Sequence, residues 1–186
     1  MSDNIFKQAV PVLKTERLTL RPITLNDVEA MFLYASSEHV ARYVTWDAHK
    51  SLDETKDFIA LILSGYQQGQ HFFWGIEYEQ KLIGTIDFVS INTTHKFAEV
   101  GYVLSEAYWN KGITTEAAKK LIDFGFNELG LVRIQARCFE ENIGSQKVME
   151  KSGMHFEGVL RKCMFVKGIH QNVNMYAITD DDYVKS

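Results

Sequence analysis

Apolar and polar residues alternate along FAEVGYVL, Phe97–Leu104. Phe97, Glu99, Gly101 and Val103 fall on one face of a strand, and Ala98, Val100, Tyr102 and Leu104 on the other. The period then changes. Ile113, Ala117 and Leu121 recur with Ala118, Ile122 and Phe126 beside them, while Lys119, Lys120 and Asp123 face outward, which predicts an amphipathic helix starting near Ile113. Between the two elements lies the turn Tyr108-Trp109-Asn110-Lys111-Gly112.

The flanking sequence extends this strand–turn–helix in both directions. Residues 17–22 alternate around Leu18 and Leu20 and read as a first strand, and Thr24 to Asp27 caps a helix running to Ala35. Residues 40–46 are aromatic and irregular. Ser51 and Glu54 form a capping box, each able to satisfy an orphan amide near the other, for a helix reaching about Gln68 with Phe58, Leu61 and Ile62 as its apolar stripe. Residues 71–78, 82–91 and 97–104 are joined by turns too short to cross over, so they form an antiparallel meander. A helix separates residues 97–104 from the next strand, 133–139, so those two strands run parallel. Asn142 caps a short helix over 143–152, ended by Gly153. Residues 154–165 and 172–178 make a final hairpin around Lys167-Gly168. The expected fold is a single α/β domain: a mixed, mostly antiparallel sheet of about seven strands with helices on both faces. It occupies residues 13–178, after a lead-in of 1–12 and before an acidic tail of 179–186 expected to fray.

A length of 186 residues with 46% apolar content suits one domain with its own core. The polar start MSDNIFKQ and the lack of a long apolar run point to a cytoplasmic chain with no membrane partner. A net charge of −4 argues against direct nucleic-acid binding and suits an amine substrate. Cys138 and Cys163 have no metal-like spacing and read as buried, reduced thiols. The scattered histidines form no ligand pair, so no metal is expected.

The start of a helix offers unpaired N–H groups and the positive end of the helix dipole, which suit a phosphate. Gly112 lets backbone approach such a group and Lys111 adds a point charge, although an ordinary strand-to-helix connection has the same composition.

The segment Trp109-Asn110-Lys111-Gly112-Ile113-Thr114-Thr115-Glu116-Ala117 resembles the acyl-CoA pyrophosphate loop of the GNAT N-acetyltransferases. It is most similar to the RimJ/RimL-type enzymes that act on ribosomal-protein N-termini. Trp109 and Thr114 depart from the broad Arg/Gln-x-x-Gly-x-Gly/Ala pattern. Thr15 to Pro22, Asn142-Ile143-Gly144-Ser145 with Glu150 to Met154, and Phe156 to Arg161 resemble the family's other segments in the same order. The resemblance implies the GNAT fold and acetyl-CoA as co-substrate without a metal. It also implies acetyl transfer to a primary amine, favouring a protein N-terminal α-amine over a small amine, in a monomer or homodimer. The cofactor residues it implies are Val103 and Leu104 for the pantetheine arm, and Trp109, Asn110, Lys111, Gly112, Ile113, Thr114 and Thr115 for the pyrophosphate. Asn142 and Lys147 are added from the following helix; a solvated lysine at position 147 is the alternative.

Thioester aminolysis needs a neutral amine, a stabilised carbonyl oxygen and a protonated or held thiolate. Glu99, a carboxylate amid apolar strand positions, is the candidate base; the alternatives are pairing with a cation such as Arg137, or facing solvent. Ser145 is the candidate donor to the thiolate, or else merely a first-turn partner of the cap Asn142. The tyrosine that many GNAT enzymes carry later in this helix is replaced by Met149. Tyr43, Trp46, Phe72, Phe73 and Trp74 could wall an acceptor pocket or belong to the core. A non-catalytic CoA-binding sensor is the competing function. A dinucleotide reductase is disfavoured by the absent GxGxxG and the meander.

Overall fold

The computed structural model describes residues 10–69 and 72–183. His71, the first residue of the expected second strand, and residues 1–9 of the lead-in lie outside them. One sheet of eight strands runs in the order β1-β2-β3-β4-β5-β6-β8-β7. Its strands are β1 Leu13–Lys14, β2 Leu18–Arg21, β3 Phe72–Tyr78, β4 Lys81–Asn92, β5 Phe97–Leu104, β6 Arg133–Phe139, β7 His155–Val166 and β8 Ile169–Thr179. The strand beyond the expected seven is β1, which has two residues and so too few for a period to register. β3, β4 and β5 form the antiparallel meander, and β5 and β6 are the parallel neighbours that the intervening helix α4, Ile113–Asn127, requires.

Alternation along the strands separates two apolar layers. Ala98, Val100 and Leu104 of β5 and Phe72 and Trp74 of β3 pack with Ala117, Leu121 and Ile122 of α4 on one face. Val103 and Phe73, one residue out of phase, pack on the other face with α1, Val28–Ala35, and α3, Leu52–Gln68. Trp74, Ile76, Ile86 and Ala98 are wholly shielded from water. Burying an isoleucine of this kind contributes about 1.5–3 kcal/mol. The apolar stripe of α3 is turned by about one position from expectation. Ile59 and Ile62 are buried with Thr55, whereas Leu61 is 64% exposed. A short helix, α2 Glu38–Ala41, runs into the first two residues of the stretch 40–46 expected to be irregular, capped where Ser37 accepts from the Val40 amide.

Helix α5, Ile143–Lys151, begins at Asn142, whose side chain accepts from the Ser145 amide at 3.1 Å. Of the two thiols, Cys138 is buried as expected, but Cys163 is exposed because β7 is the outer strand of the sheet. The described part of the tail is tied down. Tyr183 donates to Asp123 Oδ1 at 2.8 Å, and its ring lies 5.1 Å from that of Phe126 on α4.

Candidate active site

β5 keeps its antiparallel register with β4 out to Leu104, yet pairs with β6 only through Phe97, Ala98 and Glu99. From Val100 onward the β5 edge turned toward β6 has no strand partner among the described residues. A cavity of about 1010 Å³ opens where the two strands part, and the starts of α4 and α5 face into it. Val103, Leu104, Trp109, Asn110, Gly112, Ile113, Thr114, Thr115, Asn142, Ser145 and Lys147 all line this cavity, so folding gathers most of the residues singled out in the sequence. Glu99 and Lys111 are not among its lining residues.

The loop ahead of α4 is held rigid. Gly112 at the N-cap has φ 74°, a left-handed conformation that a side chain would strain, and Asn110 before it has φ 60°. Among the described residues no side chain caps the helix, so the amides of its first turn stay available to an anion. Glu116 of that turn accepts from the Arg17 backbone amide at 2.9 Å and from Arg17 Nε at 2.7 Å, while Arg17 Nη1 donates to the Lys111 carbonyl at 3.1 Å. Burial pushes the Glu116 carboxyl up, but the hydrogen bonds from Thr15 and Arg17 outweigh it and hold the group below its usual range. The Trp109 indole N–H donates to the Leu104 carbonyl at 2.8 Å, fixing the end of β5. Lys111 differs from expectation. Its ammonium turns back to the Ala107 carbonyl at 2.9 Å and over the Tyr108 ring at 5.1 Å, away from the cavity wall. Lys147 and Lys151 of α5 line the cavity instead.

Where the strands part, both oxygens of the Glu99 carboxylate are engaged. Arg137 Nε approaches Oε1 at 2.8 Å, and Gln135 Nε2 donates to Oε2 at 3.1 Å. Asp87 of β4, paired in register with Gly101, is the sheet carboxylate that lines the cavity, and Glu141, ahead of α5, also lines it. Burial, and then the negative charge of Glu99, push the Asp87 carboxyl up to about 7. In the sequence Asp87 sits between Ile86 and Phe88 like any polar residue of an alternating strand, so only the cross-strand register reveals it.

Across the opening, Tyr102 and Ser145 share a hydrogen bond of 2.8 Å, and the phenol also donates to the Ser145 carbonyl at 3.2 Å. Burial raises the Tyr102 phenol above its ordinary range, with the Ser145 hydroxyl opposing. Burial likewise pushes the neighbouring Cys138 thiol up to about 11, again with Ser145 opposing. Met149 is in the core, 1% exposed, so the phenol near Ser145 comes from the strand instead of the helix. The far end of the cavity is aromatic. Tyr43, Trp46, His49, Phe58 and Phe73 line it, whereas Phe72 and Trp74 belong to the opposite layer. His49 shares a 2.8 Å hydrogen bond with Thr55, and burial lowers its imidazole below the usual range, against the pull of Glu54.

An uncapped helix start, an open strand edge and a half-buried carboxyl meeting in one cleft define a fold suited to lay out an acyl carrier beside an amine. Residues 17–155 match the family model described as "Acetyltransferase (GNAT) domain". The chain is 37% identical over 170 residues to "Uncharacterized N-acetyltransferase YoaA" of Bacillus subtilis (strain 168), covering 90% of this chain and 96% of that one. At 27% identity it matches the spermidine N(1)-acetyltransferase of Escherichia coli (strain K12), over 89% of this chain and 87% of the relative. The ribosomal-protein-serine acetyltransferase of the same organism matches at 27% too, over 88% and 93%. Among solved structures, a GNAT-family acetyltransferase from Bacillus anthracis superposes with a TM-score of 0.83 at 31% identity, over 92% of this chain and 99% of that one. The self-immunity acetyltransferase MccE, solved with acetyl-CoA and AMP, superposes with a TM-score of 0.81 at 25% identity, over 89% and 93%. The chain belongs to the GNAT acetyltransferase family and is an acetyl-CoA-dependent N-acetyltransferase.

Proposed function

We propose that the enzyme acetylates the α-amino group at the start of a peptide or protein. The uncapped amides of Ile113, Thr114 and Thr115, with Gly112 bringing backbone close and Lys147 nearby, suit the diphosphate of acetyl-CoA. The open edge of β5 around Val103 and Leu104 suits the amide-bearing pantetheine arm, which can add to it as a strand does. Ser145, coupled to Tyr102, stands in this reading as the proton source for the departing thiolate. Glu99, already bound on both oxygens, acts through its charge rather than by touching the amine.

The make-up of the acceptor end carries the choice of substrate. Among the described lining residues the carboxylates are Asp87 and Glu141, and the wall beside Asp87 is aromatic. That suits an acceptor with one ammonium followed by uncharged chain. A polyamine has further ammonium groups that need partners once they leave water. A panel of short peptides differing in the first residue, run beside spermidine and simple monoamines with acetyl-CoA and read by mass spectrometry, tests this. The expected result is acetylation of peptide α-amines and little of spermidine. Preferential acetylation of spermidine would replace this reading with a polyamine one, and no heat of association with acetyl-CoA would remove its foundation.

A further inference from the structure

We infer that Asp87 is a catalytic residue of this enzyme, the base that takes the proton from the acceptor ammonium, in the place expected for Glu99. This rests on the α-amine reading above and adds the group that performs its first step.

The placement of Asp87 comes from the sheet. Thr85, Asp87 and Val89 line the cavity, while Ile86 and Phe88 point into the opposite core. Asp87 pairs across β4 and β5 with Gly101, just past Glu99, where the pairing of β5 with β6 ends. It therefore stands at the apex of the opening, beside the unpaired edge proposed to hold the thioester. Gly101 keeps this apex clear. A Cβ there would lie 3.2 Å from Asp87 Oδ1 and 2.6 Å from Val89 Cγ2. Any side chain at position 101 would crowd the carboxylate and the approach to it.

The carboxyl is also uncommitted. The Asp87 side chain makes no hydrogen bond to any described residue, in contrast to Glu99, whose two oxygens are held by Arg137 and Gln135. The charged and titratable groups around it come from each neighbouring element. Glu99 acts from β5, with Arg137 of β6 behind it, and Tyr66 of α3 feels its charge. From α1, Tyr34 is hydrogen-bonded to Thr85 on the same strand face. Glu99 is the near negative charge, and it favours the protonated form of Asp87. A carboxyl at about 7 is half ionised near neutrality, where a general base is most effective.

The step balances as follows. Asp87 accepts one proton from the acceptor ammonium and later releases it to water. The freed amine lone pair forms the C–N bond to the acetyl carbon as the C–S bond breaks and its electron pair goes to sulfur. The nitrogen loses its surplus proton and sulfur gains one through the Ser145–Tyr102 hydroxyl pair. The match of base to acid selects the amine. Transfer from an α-amine of pKa ~8 to a carboxyl near 7 is uphill by about tenfold, whereas from a lysine-type amine near ~10.4 it is uphill by more than a thousandfold.

Two measurements on the full chain test this. The first is carbon NMR of protein labelled at the aspartate carboxyls, titrated without ligand. One aspartate should titrate near 7, vanish in Asp87→Asn, and move to lower pH in Glu99→Gln. The second is the pH profile of thiol release from acetyl-CoA with the best peptide of the panel. Wild type should gain rate as pH rises through the same value. Asp87→Asn should lose about 100-fold or more together with that acid limb. Glu99→Gln should keep the limb, displaced to lower pH. The inference is overturned if every aspartate titrates near 4, or if Asp87→Asn keeps the acid limb at wild-type position. The broader reading fails separately, through absent acetyl-CoA binding or an unreactive peptide panel, neither of which moves the aspartate titration.

Discussion

The hydroxyls of Tyr102 and Ser145 lie 2.8 Å apart, joining the free end of β5 to the first turn of α5 across the mouth of the cleft. Groups that act as one unit fail as one unit. Ser145→Ala and Tyr102→Phe should each lower kcat by about 10- to 100-fold with little change in the KM for acetyl-CoA, since a proton donor to the leaving group works only as charge develops. The double variant should be no slower than the worse single one. Steady-state thiol release measures all three, and multiplicative losses would separate the two residues.

Asp87 predicts a stability effect opposite in sign to its effect on activity. Its carboxyl is raised to about 7 in the folded chain, so the fold holds a proton that the unfolded chain releases near ~4. Stability from this group is present at low pH and is lost as pH climbs from about 4 through 7. Asp87→Asn should thus melt higher than wild type at pH 8, by on the order of 2 kcal/mol, and match it at pH 4. Thermal melts at the two pH values give the comparison.

Glu116 ties the start of α4 to the start of the sheet through Thr15 and Arg17. Replacing it with glutamine should cost about 1–2 kcal/mol and raise the KM for acetyl-CoA several-fold more than it lowers kcat. Its folded carboxyl is held low, so the contribution is complete above the usual glutamate value of ~4.3 and fades as pH falls through the folded value. Urea titrations at pH 7 and at pH 3.5 should show the wild-type advantage shrinking.

The thiols give a probe that needs no acceptor. Cys163 is exposed, while Cys138 is buried, raised to about 11 and set in the cavity wall. Iodoacetamide at pH 8 should label Cys163 at least tenfold faster, because the thiolate is the reactive form. Bound acetyl-CoA should slow Cys138 further and leave Cys163 unchanged, as peptide mapping would reveal.

Local periodicity made the meander, the parallel crossover and helix α4 readable, because each depends on residues close together in the chain. The cleft was readable as far as its backbone parts, since Gly112 and the Asn142 cap declare themselves by residue type. Directions of long side chains were not. Lys111 turns back onto Ala107 and Tyr108, a choice set by a 3-10 turn at Glu106–Tyr108 that leaves no periodic trace. The choice between Asp87 and Glu99 was hidden for a different reason. It depends on which carboxylate meets Arg137 and which meets Gly101, and both contacts are between strands. Leu61 and Ile59 exchanged roles because α3 is anchored by Tyr66, whose phenol donates to the Phe73 carbonyl and accepts from the Ile23 amide, which fixes the helix's rotation.

The clasp between Tyr183 and Asp123 settles where a label can safely go. Asp123 sits eleven residues along α4 from Gly112, which at 1.5 Å of rise per residue places Tyr183 on the order of 15 Å from the start of that helix. A reporter group attached beside Tyr183 would therefore stand clear of the start of α4 and leave that end open to meet even a whole folded protein as an acceptor.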